Sequence, residues 1–193
     1  MRRKEEEITD IREIEKLLKE CTVGRLATMG RDGFPYITPL NYVYHQGAIY
    51  FHSAPAGEKL ENIAANPQVC FEVDTPLAYL DTAYDPDKPP CAVSQLYKSV
   101  IIRGRAEIIE SMEEKVAALN ALMASHERVE EFIGITEDQS AVKRCVVVVV
   151  HVEFLTAKSN DASRKSGAEK EKIREYLKKR DLEGDRNAAR QIV

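Results

Sequence analysis

Cys145-Val-Val-Val-Val-Val-His-Val152 restricts the folds open to this chain more than any other segment. Five successive valines are stiff at χ1 and favour an extended backbone. As a strand the run is apolar on both faces, so both faces must be covered. A barrel interior can cover one, and a helix or a second subunit the other. The remaining strand-like runs are short and joined by tight turns. Thr22–Thr28 leads into Gly30-Arg-Asp-Gly33, then Pro35–Tyr44, the turn His45-Gln-Gly47 and Ala48–Ser53. Further strands are expected over Gln68–Asp74 and Tyr97–Ile109, with a bulge at Gly104. Six or seven strands with interposed helices predict an α+β, mainly β barrel rather than a doubly wound sheet.

Helical spacing picks out the rest. Ile11, Ile14, Leu17 and Leu18 share one face of a helix capped by Thr9 or Asp10. A helix over Gly57–Ala65 is stopped by Asn66-Pro67, and one capped by Ser111 runs through Ala124. Its Met112, Val116, Leu119 and Met123 read as a core stripe. A short further helix is expected over 127–133, and the Pro/Asp-rich stretch 75–92 reads as a loop. Beyond Ala157 apolar content falls. Ser166–Arg180 can form an amphipathic helix through Ile173, Tyr176 and Leu177, and the remainder reads as a flexible tail. The expected organisation is therefore one domain over 1–157 and a charged tail over 158–193.

Composition narrows the partners. A chain of 193 residues with 44% hydrophobic content can bury one real core. Its net charge of −4 argues against a general nucleic-acid or membrane-surface binder. No run approaches the roughly 20 apolar residues of a membrane span. The start, Met-Arg-Arg-Lys-Glu-Glu-Glu, lacks the apolar stretch of a secretory signal, so a cytoplasmic location is expected. Cys21, Cys70, Cys91 and Cys145 show no paired spacing, which excludes the usual zinc knuckles and the redox Cys-x-x-Cys motif. They are expected to be reduced, with Cys70 and Cys145 buried in apolar strands, and no metal site is expected.

The segment Ile49–Pro67 carries the functional signal: a strand, a polar turn and a helix. A helix's first turn bears partial positive charge, so acids belong there. Glu58 and Glu61 comply, and Lys59 does not. An anion at the helix N-terminus would reconcile the two, held by free backbone N–H groups, the Ser53 hydroxyl and the Lys59 ammonium. A solvated surface lysine is the competing reading, and these residues alone weigh the two evenly. Pro39 adds a second signal. It cannot donate to a ladder, so its strand is expected to be an edge, bulged, or open to a ligand.

His52-Ser-Ala-Pro-Ala-Gly-Glu-Lys59 with Asn66-Pro67 behind it, followed by Tyr97-Lys-Ser-Val100 and Gly104, resembles the FMN-binding split-barrel superfamily of pyridoxamine 5′-phosphate oxidase. Within it the closer resemblance is to the 5-nitroimidazole-resistance flavoproteins, over roughly residues 10–157. The resemblance implies a six-stranded antiparallel split β-barrel with flanking helices. It implies a homodimer that binds FMN in two equivalent clefts between subunits. Thr38, Pro39, Leu40 and Asn41 match the strand along the isoalloxazine ring. His52 and Ser53 match the turn near the ribityl phosphate, and Lys59 matches the phosphate-binding lysine. Ser99 and Val100 match a strand that approaches the flavin. No arginine-rich substrate-phosphate site matches that of a true pyridoxamine phosphate oxidase, and the chain has no tryptophan.

The expected activity is an FMN-dependent oxidoreductase, reducing a small electron-poor substrate such as a nitro compound. No Gly-x-Gly-x-x-Gly signature is present, so NAD(P)H would visit as a donor rather than reside. A haem-binding split barrel and a flavin module without turnover are the alternatives. The haem reading would use His52 or His151 as axial ligand. No catalytic acid is fixed by the sequence; Tyr97, Ser99 and His52 are the candidate proton donors. His45 reads as a turn residue, His126 as a helix-cap or surface residue, and His151 as a satisfied core or interface imidazole.

Overall fold

The computed structural model of the protein describes residues 3–129 and 131–192. In chain order the elements are β1 (Glu7–Ile8), α1 (Ile11–Glu20), β2 (Val23–Met29), β3 (Pro35–Asn41), β4 (Val43–His45) and β5 (Ala48–Ser53). Then come α2 (Glu58–Ala65), β6 (Gln68–Leu80), β7 (Ser94–Ile108), α3 (Met112–His126) and α4 (Ser140–Arg144). β8 (Val146–Asn160), α5 (Gly167–Arg180) and α6 (Asp185–Gln191) complete the chain. The strands form one eight-stranded sheet of order β3-β2-β6-β7-β8-β5-β4, with β1 paired to β8. The backbone divides into two compact units. One comprises Asp10–Val73 and Val100–Thr156; the other comprises Met1–Thr9, Asp74–Ser99 and Ala157–Val193.

In the first unit the valine strand is covered on both faces. Val147 and Val149 pack with Val43, Tyr50 and the α3 residues Ala118, Leu119 and Leu122. Val148 and Val150, pointing the opposite way, are fully buried as well. A helix of the same chain is therefore what covers the outer face. β5 pairs antiparallel with this strand, Ala48 opposite His151 through Ser53 opposite Val146.

The second strand run, expected to be continuous to Tyr44, is two strands. Tyr42 interrupts it because its side chain turns inward, donates to the Leu18 carbonyl at 2.7 Å and packs edge-on against Phe71 at 4.8 Å. This break, together with the two-residue β1, is why the sheet has eight strands where six were expected. Gly24 is required beneath Phe71, since a Cβ there would lie 2.1 Å from the ring. Gly104 is required for a close approach: a Cβ would lie 2.0 Å from the His151 carbonyl oxygen.

Other expectations need correction. β6 runs on through Pro76 to Leu80, so the supposed loop starts later; buried Ala78 and Leu80 alternate with exposed Tyr79, out of phase with the buried Val69, Phe71 and Val73 of the first half. α3 ends at His126, and residues 127–129 and 131–133 are not helical, with Ile133 91% exposed. A short α4 forms at 140–144 instead, burying Val142. Cys70 and Cys145 are half-buried rather than buried, Cys145 standing at the C-cap of α4.

The second unit has its own apolar core. Ile173 and Leu177 of α5, with Ala188, Ala189 and Ile192, pack against Ala78, Leu80 and Leu96. Ser166 caps α5 in a reciprocal box with Glu169, satisfying both ends of the pair. At the other end of α5, Arg180 donates to Asp185 at 2.7 and 2.8 Å, to Asp81 at 3.0 Å and to the Tyr79 carbonyl at 2.7 Å. Tyr176 donates to the same Asp81. Hydrogen bonding and charge from Arg180 hold the Asp185 carboxyl below its ordinary range. Lys158 joins Glu6 at 2.7 Å to the Tyr97 hydroxyl at 2.6 Å.

Candidate functional site

The site is built on β3, β5 and α2 of the first unit. His52 is exposed near the end of β5, opposite Val147, and Ser53 beside it is buried. The chain then passes through the exposed stretch 54–57 into α2. Gly57 is the N-cap, at φ 139° and ψ 158°, a backbone conformation open essentially to glycine alone. No side chain caps this end. α1 and α3, by contrast, receive side-chain caps from Asp10 and Ser111. Lys59 lies half-exposed in the first turn and makes no ion pair among the described residues. The Glu58 and Glu61 carboxylates share that turn.

The opposite face of α2 fixes its position. Leu60 and Ile63 are buried, and the buried Asn62 amide donates to the Thr28 hydroxyl at 3.1 Å. Thr28 in turn donates to the Tyr36 carbonyl at 3.5 Å, so α2 is tied through β2 toward β3. Sequence reading missed this polar pair, because neither residue lies in a recognisable motif. The i, i+34 spacing gives no local signal.

β3 is the terminal strand of the sheet, which agrees with the edge position expected of Pro39. Its register on β2 places Thr38 opposite Leu26, Pro39 opposite Arg25, Leu40 opposite Gly24 and Asn41 opposite Val23. Thr38 and Leu40 are half-buried on one face; Pro39 and Asn41 are exposed on the other. Thr38 Oγ1 is buried and has no hydrogen-bond partner. A buried hydroxyl left unpaired costs about 1–3 kcal/mol. Val100 is fully buried on β7. Ser99, half-buried on the same strand, belongs to the second unit. The structure thus gathers Thr38–Asn41, His52, Ser53 and Lys59 into one unit, without placing Ser99 with them.

The other histidines are accounted for. His126 ends α3 with Nε2 2.9 Å from the Tyr42 carbonyl, and His45 ends β4 against the Tyr50 ring. His151 is exposed rather than in the core, 3.4 Å from Glu107; it shares a strand face with the buried Val147 and Val149 but stands where the covered stretch of the strand ends. No group of three His, Cys, Asp or Glu residues among the described ones is placed to hold a metal.

A second concavity of about 560 Å³ opens in the same unit, lined by Thr28, Met29, Cys70, Arg103 and Phe154 among others. Burial pushes the Cys70 thiol up, with Arg103 opposing, so the sulfur is not disposed to act as a thiolate. Phe154 is 68% exposed at its rim. None of Thr38–Asn41, His52, Ser53, Lys59, Ser99 and Val100 lines it, whereas Asn66 and Gly104 of the motif segments do.

A family model described as pyridoxamine 5′-phosphate oxidase matches residues 10–159. The chain belongs to this family. All of the candidate site residues fall within the matched span, and α5 and α6 lie beyond it. Among solved structures, a candidate 5-nitroimidazole antibiotic resistance protein from Bacteroides thetaiotaomicron is 28% identical, with a TM-score of 0.67 over 79% of this chain and 85% of that one. A flavocytochrome from Azotobacter vinelandii, 16% identical, superposes with a TM-score of 0.69 over 83% of this chain and 72% of its own. A FAD- and heme-binding protein from Mycobacterium smegmatis is 17% identical, with a TM-score of 0.67 over 80% and 73% of the two chains. The last two show the fold alone. The fold is the antiparallel split barrel with flanking helices, as expected, with eight strands in place of six. A comparison with curated protein sequences finds no match. No helix among the described residues is long and apolar enough to cross a membrane.

Proposed function

We propose that the chain is an FMN-dependent oxidoreductase that reduces a small electron-poor substrate, such as a nitro compound, with electrons from a reduced nicotinamide. The observation that carries the reading is the open N-terminus of α2. It combines a glycine N-cap, no capping side chain and an unpaired Lys59, all on a helix otherwise locked to the barrel. The donor set suits a phosphate dianion: backbone N–H groups, Lys59 Nζ and the neighbouring Ser53. Pro39, with no N–H, leaves the strand edge free of one ladder donor.

Bound there, FMN would supply the hydride and electron chemistry. The protein's part is to anchor the phosphate at Lys59, orient the ring along Thr38–Asn41 and leave one face open for substrate. His52 is exposed on the adjoining strand and is placed to hold or deliver a proton. The family match supports a flavin, and the 28%-identical relative is a candidate 5-nitroimidazole antibiotic resistance protein. The exposed apolar residues of the edge region, Phe34 at 72% and Ile37 at 61%, support a homodimer that completes the cleft.

The visible spectrum of the purified chain, before and after incubation with FMN, tests the reading. Twin flavin bands and a dimeric mass are expected. A sharp Soret band would establish the haem alternative instead, and a protein that takes up neither chromophore refutes the cofactor assignment. Oxidation of NAD(P)H with a nitroaromatic acceptor then separates an enzyme from a module without turnover.

A further inference from the structure

The second unit carries a feature that the flavin reading does not use. Residues 157–193 hold eleven lysines and arginines against seven acids, in a chain whose net charge is −4. Four of those cations converge. Arg174 and Lys178 are one turn apart on α5, and Arg186 and Arg190 are one turn apart on α6. Together they line a cavity of about 470 Å³, whose apolar wall is Ala189 and Ile192.

Stacking two like-charged pairs around one concavity is unfavourable unless counter-charge is supplied. The chain supplies only part of it. Arg174 is held by Glu171 at 2.6 and 3.0 Å and by the Ile192 carbonyl at 3.1 Å. Arg186 is held by Asp181 at 2.6 and 2.9 Å. Lys178 and Arg190 form no ion pair among the described residues, and no acid lines the cavity. Two fixed guanidinium groups and two uncompensated cations beside a small apolar wall match an organic anion with at least two negative charges. The volume falls in the range of small-molecule sites.

We propose that the cleft between α5 and α6 binds a phosphorylated small molecule of nucleotide size. Lys178 and Arg190 neutralise its charge. Arg174 and Arg186, already oriented by their carboxylates, present their remaining N–H groups to the phosphates. This site is independent of the flavin assignment, since every residue in it lies outside the family-matched span.

The test is calorimetric titration of the full chain, saturated with FMN, against ADP, inorganic pyrophosphate and adenosine. ADP and pyrophosphate should bind with an affinity that falls as salt is raised, and adenosine should not bind. The variant K178A/R190A removes two exposed side chains without internal partners, so the fold is retained. It should lose at least tenfold in ADP affinity, and K178R/R190K should restore it. Lys59→Ala should leave ADP binding unchanged, which separates this cleft from the phosphate turn. Absence of ADP and pyrophosphate binding, or equal binding by K178A/R190A, overturns the proposal. Binding of a DNA duplex or of phosphatidylserine vesicles in place of ADP overturns the small-molecule assignment.

Discussion

α2 and α5 begin in opposite ways. α5 starts with the Ser166–Glu169 box and ends in the Arg180–Asp185–Asp81 cluster, so its terminal groups are satisfied by its own unit. α2 starts on Gly57 with no capping side chain and places an unpaired lysine in its first turn. Both helices bury an apolar face, so burial does not distinguish them. One helix is finished by the chain; the other, on the proposed reading, is finished by a bound phosphate. Stability should therefore respond to changes at α5, and ligand affinity to changes at α2.

The largest effect should come from breaking the closed end. Arg180→Ala leaves Asp185, almost fully buried, without its partner, and should lower the free energy of unfolding by about 3 kcal/mol. Urea denaturation would show it, and an unchanged midpoint would dissolve the contrast. Lys59→Ala tests the open end. FMN affinity should fall by about 1.5–3 kcal/mol, the worth of a charge-assisted contact, with the unfolding midpoint of the flavin-free protein unmoved. A loss of stability without a loss of affinity would make Lys59 a structural residue.

Asp161 sharpens the same comparison, because it pins the approach to α5. Burial acts to raise its carboxyl, but hydrogen bonds from Ser163 and the Lys98 ammonium at 3.1 Å outweigh it and hold the pKa at about 2. A depressed folded-state pKa stabilises above the ordinary carboxylate value of 3.8 and ceases to do so as pH falls toward about 2. Asp161→Asn should therefore cost about 2 kcal/mol at pH 7, with the two proteins converging between pH 4 and 2. Thermal melts across that window would reveal a parallel, pH-independent offset if the ion pair were unimportant. Ser166→Ala is the mildest test. Loss of the box should cost about 1 kcal/mol with no change in flavin affinity.

Much of this was readable in the chain where one residue type has one physical outcome. The valine run demanded two covered faces and has them. Pro39 demanded an edge and stands on one. Gly57, Lys59 and the Asn66 stop located α2 to within a residue. Long-range partners were not readable. Tyr42 splits its strand through a contact with Leu18, 24 positions away, and Thr28 holds Asn62 across 34. The stretch 75–92 reads as a loop from its prolines and aspartates, yet the strand continues to Leu80, with its buried positions shifting from Val69, Phe71 and Val73 to Ala78 and Leu80. His151 follows the valines and shares the face of Val147 and Val149, yet it stands where the burial of the strand ends, which the local pattern does not display. The basic cleft of α5 and α6 is a product of two helices facing each other, which neither segment displays alone.

Pro39 has a consequence unrelated to any cofactor. β3 is an outermost strand, and Phe34, Tyr36 and Ile37 on or beside it are exposed. Such an edge invites another chain to extend the sheet, the first step of amyloid-like aggregation. Prolines at 35 and 39 interrupt the row of donors that an incoming strand would need. While the chain is newly made, the residue proposed to leave the edge open to a flavin also guards it against self-templated polymerisation.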